Sequence, residues 1–372
     1  MKILKTLKTI IFHRPIKNLF RRKYKKKVLI SYIVHPFRKG ISFFHTNEQE
    51  VLKIAEVFDE LGYVVDIYHY LYPIKPNFSE YSVIFGMGPL FEDAVKNKNS
   101  KTIYIYYATG SHFCYQNNAE LRRIKQLYKR KKILISPKRF AEHSYYSYHL
   151  SDAIIVLGND FTASTIRAFS NTPIYKLNAS VYNLEELNKI ERNIKLAKKN
   201  FLWFGSYGLV HKGLDICIDV FKQLPHLNLH ICSPWEQDFF SVYEQELKLH
   251  NIFYHGFVNI KSKKFKNIIK NCLFIIFPSC SEGQSTSVLT AMGVGLIPVV
   301  TKNVGIDIEN KGFLINEDIE DIKNKIMYIV NLDDKTLNKL SQENISYISK
   351  YHNINYFKIS LQNILKEILK KK

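Results

Sequence analysis

From Val28 onward, short apolar runs and amphipathic stretches take turns along the chain. "VLISYIV" has the length and β-branched content of a buried strand. Residues 48 to 61 then place Val51, Ile54, Ala55 and Phe58 on one helical face, and Gly62 stands where a helix C-terminal glycine belongs. "YVVDIY" predicts the next strand, followed by strands at "YSVIFGM", "KTIYIYY" and "DAIIVL", the last leading into a helix from Asp160. Strand and helix alternating in this way predict an α/β fold on a parallel, Rossmann-like sheet.

The pattern breaks between about Val181 and Asn200, where "YNLEELNKIERNIKLAKKN" is polar and offers no strand. A second alternation follows: "FLWFG", a helix from Lys212 to Leu224, "LNLHIC", a helix near Phe239 to Leu249, "IFYHG", a helix over 261 to 271, "LFIIFPS", a helix after Glu282, and "LIPVVT". The expected organisation is a basic amphipathic segment over 1–27, a Rossmann-like domain over 28–180, a linker over 181–199, and a second Rossmann-like domain over 200–350. A final helix over 351–372 is expected to pack back on the first domain. Ligands of open parallel sheets collect beyond the carboxyl ends of the strands, so two such domains facing each other are expected to form a cleft.

Length agrees, because 372 residues exceed what one core usually serves. A hydrophobic fraction of 46% excludes a disordered chain. The five cysteines include no CxxC pair, which argues against a disulfide framework or a zinc site and suits a reducing, cytoplasmic setting.

The formal charge of +21 is unevenly distributed. Residues 1–27 hold 11 Lys and Arg and no acid, while the other 345 residues carry only +10. No helix-turn-helix, zinc finger or RNP-like run accompanies the basic residues, so nucleic acid is not an expected partner. No segment reaches the ~20 apolar residues of a membrane span. In "MKILKTLKTIIF", Ile3, Leu4, Leu7, Ile10 and Ile11 share one side of a helix and Lys2, Lys5 and Lys8 the other, with "RRKYKKK" following. That arrangement predicts a peripheral hold on an anionic membrane surface, the inner face for a cytoplasmic protein. Removing 1–27 is expected to spare the first sheet, whose first strand is placed at Val28. A second basic cluster, Arg122 to Arg139, reads either as solvated surface or as more of the same face.

Chemistry concentrates in "FPSCSEGQSTSVLTAMGVGLIPVV", residues 277 to 300. An apolar strand ends in Ser279, Cys280, Ser281, Glu282 and Gly283, and a helix begins with hydroxyls in its first turn. A helix N-terminus offers unpaired N–H groups and partial positive charge, suited to a diphosphate. Gly283 permits close approach; Gln284, Ser285, Thr286 and Ser287 surround the helix start; Glu282 can accept from sugar hydroxyls. The plainer alternative is that Ser281 or Ser285 only caps the helix.

This stretch resembles the donor-site motif of the family 4 retaining glycosyltransferases, which have the GT-B fold. The resemblance gives Glu282 contact with the donor sugar, and Thr290 stands where the family carries a second glutamate for the nucleotide ribose. "FLWFGSYGLVHKGLDICIDVF" is similar to the same family's first strand, loop and helix of the nucleotide domain, with Gly205, Lys212 and Gly213 kept and Ser206 where an Arg is usual. Lys212 is thereby expected to meet the donor phosphates. In the first half, "YYATGSHFCYQNNAELRRI" sets His112 after a strand, and the resemblance makes it a candidate near the donor sugar; His45 and Asn47 are weaker acceptor-side candidates.

The resemblance implies transfer of a sugar from a nucleotide-sugar to a glycan or lipid-linked acceptor in cell-surface polysaccharide synthesis. Retention of configuration, no cofactor and no metal are expected with it. The rival is a non-catalytic nucleotide-sugar-binding subunit with a degenerate site.

Overall fold

The computed structural model describes residues 10, 12–141, 144–188 and 190–371. Its strands are β1 (Lys26–Tyr32), β2 (Tyr63–His69), β3 (Val83–Gly86), β4 (Ile103–Ala108), β5 (Ala153–Leu157) and β6 (Ile174–Leu177), then β7 (Asn200–Phe204), β8 (Asn228–Cys232), β9 (Ile252–Tyr254), β10 (Phe274–Phe277), β11 (Ile297–Val300) and β12 (Phe313–Leu314). Helices of eight or more residues are α1 (Asn47–Glu60), α2 (Gly88–Lys96), α3 (Phe113–Lys131), α4 (Asp160–Arg167) and α5 (Leu214–Phe221). They continue as α6 (Lys263–Asn271), α7 (Thr286–Gly293), α8 (Ile319–Val330), α9 (Asp334–Tyr351) and α10 (Ile354–Lys370). Each set of six strands makes one parallel sheet, ordered β2-β1-β3-β4-β5-β6 and β12-β11-β10-β7-β8-β9. Among the described residues no helix is long and apolar enough to cross a membrane.

Two compact units result, one from Met1–Thr109, Glu142–Ser180 and Ile354–Lys372, the other from Gly110–Ala141 and Val181–Asn353. In the first, Val28, Leu29 and Ile30 of β1 and Val51, Ile54, Ala55 and Phe58 of α1 are fully buried. Burying a large apolar side chain of this kind contributes roughly 1.5–3 kcal/mol. α10 closes over α1 with Phe357, Leu361, Leu365 and Ile368, and Lys358 reaches Glu60 at 2.5 Å.

The N-terminal segment is corrected in part. Its amphipathic stretch lies mostly outside the described residues, but residues 16–22 are stitched to the sheet edge. Ile16 exchanges two backbone bonds with Ile67 of β2 (2.9 and 2.7 Å), and Leu19 N–H donates to Val65 O (2.9 Å). The amide of Asn18 donates to the buried Asp66 carboxylate at 2.7 Å, and Tyr81 Oη donates to its other oxygen at 2.8 Å. Arg22 grips Asp59 through two 2.8 Å bonds. A charge sits on β2 because this crossing segment hydrogen-bonds it.

Part of the second basic cluster is drawn into ion pairs with the second unit, while Lys125, Lys129 and Lys132 remain exposed. Arg123 and Asp215 are both fully buried and meet at 2.5 Å. Arg130 pairs with Asp215 and, at 2.9 Å, with Asp219; Lys131 bridges Asp219 and Glu246 at 3.0 Å each; Lys138 reaches Asp238 at 2.8 Å. These pairs tie α3 to α5 and its surroundings, so a helix that follows a strand of the first sheet belongs to the second unit. Buried charges persist only when paired in this way.

Three element predictions differ from the structure. The helix expected near Phe239–Leu249 is a short turn, Gln237–Val242, and a single 3₁₀ turn, Glu246–Lys248. β6 and β12 escape the pattern because little of either is buried: β6 has one buried residue, Leu177, and β12 spans two residues, neither of them buried.

Deleting residues 1–23 removes three backbone bonds from β2 and one donor from buried Asp66. At about 1 kcal/mol per neutral bond and about 1.5–3 kcal/mol for the charged acceptor, the loss should be roughly 4–6 kcal/mol. Urea unfolding of the truncated chain measures it, and an unchanged midpoint would show the segment to be dispensable.

Candidate active site

The second sheet reverses its winding beside β7: the chain runs from β7 to β8 and β9 on one side, then returns to β10 on the other. The loops leaving the carboxyl ends of β7 and β10 therefore diverge at a switch point, where an open α/β sheet places a ligand crevice. Here the loops are laced together. Cys280 N–H donates to His211 O at 3.0 Å, and the indole N–H of buried Trp203 holds Lys212 O at 3.3 Å. Gly213 has φ +79°, and any Cβ there would collide with the Pro278 carbonyl. Only glycine allows both the left-handed turn and the close approach.

That lacing brings together the two residues singled out by the motifs, 70 positions apart. Lys212 Nζ lies 2.9 Å from Glu282 Oε1, with side chains 7% and 11% exposed. Ser279 Oγ donates to the same carboxylate oxygen at 3.0 Å, and Ser111 Oγ donates to Glu282 O at 2.8 Å. Burial opposes charge on Glu282, but Lys212, Arg139 and His211 outweigh it and hold the carboxyl at about 2. Burial also pulls the Lys212 ammonium below its ordinary value, with Glu282 working against that pull. The carboxylate is ionised at neutral pH, and it is what keeps a cation at this depth.

Behind the pair, His211 is 1% exposed. Its Nδ1 faces Glu120 Oε2 at 2.5 Å and its Nε2 faces Ser281 O at 2.5 Å. The ring is thereby clamped between the Glu120 carboxyl and the Ser281 carbonyl. Burial acts to raise the Glu120 carboxyl, yet its bond to His211 and the amides of Arg139 and Lys138 hold it below the usual range. Glu120, His211 and Arg139 were not among the sequence candidates. Glu120 and Arg139 sit far upstream of either motif, and only the fold of residues 110–141 onto this unit reveals them.

The helix start is as open as expected. Ser285 is the N-cap of α7 without a side-chain cap bond, which leaves the plainer capping alternative unsupported for that residue. The amides of Glu282 and Ser285 are taken by Asn303 O and Val304 O at 2.9 Å each. The next three amides, of Thr286, Ser287 and Val288, lie in the first turn, where a helix supplies no acceptor. Gly283 and Gln284 are buried, Thr286 and Ser287 half-buried, and Thr290 is 5% exposed within α7. Gly205 donates its amide to Cys232 O at 3.1 Å and precedes the exposed Ser206.

His112 belongs to the same unit and caps α3, its Nδ1 accepting from Cys114 N–H at 3.3 Å. In the neutral ring the hydrogen is then on Nε2, so His112 is placed as a donor rather than a base. His45 and Asn47 lie in the first unit, at the start of α1, where Asn47 N–H donates to His45 Nδ1 at 3.1 Å. Among the described residues no three His, Cys, Asp or Glu side chains cluster as a metal would require.

Residues 198–331 match the family described as Glycosyl transferases group 1. No curated protein matches the chain. Among solved structures, sucrose-phosphate synthase from Thermosynechococcus elongatus superposes with TM-score 0.64 at 11% identity, covering 93% of this chain and 100% of that one. Anabaena HepE in complex with UDP and glucose gives 0.59 at 12%, covering 92% and 100%. TarM of S. aureus, in a complex that includes UDP, gives 0.53 at 17%, covering 76% of this chain but only 54% of that one. The fold is GT-B, with two parallel six-stranded sheets and interleaved helices.

Replacing Glu282 with Gln would leave the buried Lys212 ammonium without a counter-charge. The cost should be about 3 kcal/mol at pH 7. Because the folded carboxyl titrates near 2, below an unfolded value of about 4.3, its contribution is complete above the unfolded value and disappears as pH falls towards the folded one. Urea unfolding of wild type and Glu282→Gln should therefore differ at pH 7 and converge on acidification; a difference that persisted at low pH would contradict the pair.

Proposed function

We propose that the chain is a glycosyltransferase that moves a sugar from a nucleotide-sugar to an acceptor hydroxyl. The observation that carries this reading is the buried Lys212–Glu282 pair at the switch point of β7 and β10. It stands inside the segment matched to Glycosyl transferases group 1. UDP-bound neighbours with the same fold support a nucleotide-sugar donor.

In this reading the pair is a resting arrangement. A diphosphate entering beside α7 offers Lys212 a second anion and meets the first-turn amides. Glu282, held ionised, turns its acceptor oxygens to the donor-sugar hydroxyls, and Nε2–H of His112 supplies a donor. The bond from the anomeric carbon to the diphosphate breaks and one to the acceptor oxygen forms. The acceptor proton passes to the departing diphosphate oxygen, and a nucleoside diphosphate is released. Charge growing on the leaving diphosphate is met by Lys212, the exposed Arg139 and the helix start without a metal ion. Retention of configuration, and a glycan or lipid-linked acceptor of cell-surface polysaccharide synthesis, complete the proposal from the motif resemblance.

Release of nucleoside diphosphate from a panel of UDP-, GDP-, ADP- and dTDP-sugars, with and without membrane extract, tests the reading. Turnover should fall about 100-fold in Lys212→Ala, by analogy with loss of one preorganised electrostatic contact. Binding of a nucleotide-sugar with no turnover in any condition would identify a non-catalytic subunit instead.

A further inference from the structure

The first unit carries a cavity of about 760 Å³ that has no part in the site above. One wall is the N-terminal crossing segment and the other is the turn beyond β2. Arg14, Lys17, Arg38 and Lys75 open onto it, with Tyr68 and Tyr72 as its aromatic wall. The size suits a small-molecule ligand.

The charge is unbalanced. Lys75 pairs with Asp93 at 3.0 Å. Among the described residues Arg14, Lys17 and Arg38 reach no carboxylate, and the first 27 residues contain none to offer. On a loose basic tail such charges would spread apart in water. Here they are held close: the Ile16–Ile67 bridge pins the residue between Arg14 and Lys17, and Arg38 Nη2 donates to Arg14 O. Two histidines beside this wall respond to the same crowding. The rings of His13 and His69 stack at 3.7 Å. Burial, then His13 and His35, push His69 down to about 4, while burial, His35 and Arg38 lower His13. These rings stay neutral at pH 7 and take no share of an anion's charge.

Fixed cations at a concave surface focus positive potential, and guanidinium groups match phosphate oxygens in geometry. Tyr68 and Tyr72, whose rings meet edge to face at 6.0 Å, supply an apolar surface beside that charge. We propose that this cavity binds a phosphate or diphosphate group carried on an apolar or flat body. The site stands independently of the donor-site reading, because every residue in it lies in the first unit.

Calorimetric titration of the full chain with inorganic pyrophosphate at low salt tests this. The double variant Arg14→Gln, Lys17→Gln keeps the backbone carbonyl that Arg38 uses and should weaken binding at least ten-fold. A control pair on the second unit, Lys125→Gln, Lys129→Gln, removes the same charge and should not. Because pyrophosphate can also occupy the donor site, each protein is titrated in a Lys212→Met, Glu282→Gln background too, which removes both charges of the buried pair together; the dependence on Arg14 and Lys17 should persist there even if the glycosyltransferase reading fails. Matching thermal melts show that the double variant folds, and Lys17→Glu alone provides a second, more exposed probe. Sedimentation with vesicles of phosphatidylglycerol and phosphatidylcholine separates the sources of the group. Sedimentation that pyrophosphate competes away and the double variant loses assigns a lipid headgroup; no sedimentation with intact pyrophosphate binding assigns a soluble ligand. Equal pyrophosphate binding by wild type, double variant and control overturns the site, as does vesicle binding that the double variant retains without any pyrophosphate effect.

Discussion

A cation and an anion at the switch point of the second sheet can be buried only because each has the other. Lys212 comes from the loop after β7 and Glu282 from the loop after β10, and neither charge would be tolerated alone at that depth. The surrounding choices follow from keeping them together. Gly213 lets the two loops touch at Pro278, Trp203 anchors the carbonyl of Lys212, and Ser279 steadies the carboxylate. His211, bonded to Glu120 and to the Ser281 carbonyl, stands directly behind, so the site rests on a hydrogen-bonded network rather than a single bridge.

Periodicity revealed most of the architecture. Central strands such as "LFIIF" are continuous apolar runs because both faces are covered, and α1 shows a clean stripe at Val51, Ile54, Ala55 and Phe58. β6 and β12 did not appear because they bury too little surface to leave a pattern, whereas β2, also an edge strand, is buried along its whole length and did. Lys212 and Glu282 were legible as motif positions, but their union was not: nothing in either loop says that the other is its partner. Glu120, Arg139 and the Arg123–Asp215 pair were less visible still. A charge in a lysine-rich run reads the same whether water or a carboxylate 92 positions away receives it.

The basic residues divide into three physical classes that composition merges. Arg122, Arg123, Arg130 and Lys131 of α3 are spent on aspartates and glutamates of the second unit. Arg22 is spent on Asp59 of the first. Arg14 and Lys17 flank a segment pinned by the Ile16–Ile67 bridge and Arg38 donates to the Arg14 carbonyl, yet the three meet no acid among the described residues. A high net charge is therefore informative only after the paired cations are set aside.

The interleaving of the two units also constrains the order in which the chain can be built on a ribosome. The first unit includes α10, so its β-sheet emerges early but lacks the helix that covers α1 until residues 354–370 have been synthesised. The helix α3, made early, must wait for Asp215, Asp219 and Glu246 before its arginines and lysine find counter-charges. Each unit completes its packing only after a distant, later segment has been made, residues 354–372 for the first and 181–353 for the second. Until residues 354–370 are made, the nascent first unit therefore lacks the cover that Phe357, Leu361, Leu365 and Ile368 supply, and apolar surface stays in water on an incomplete domain.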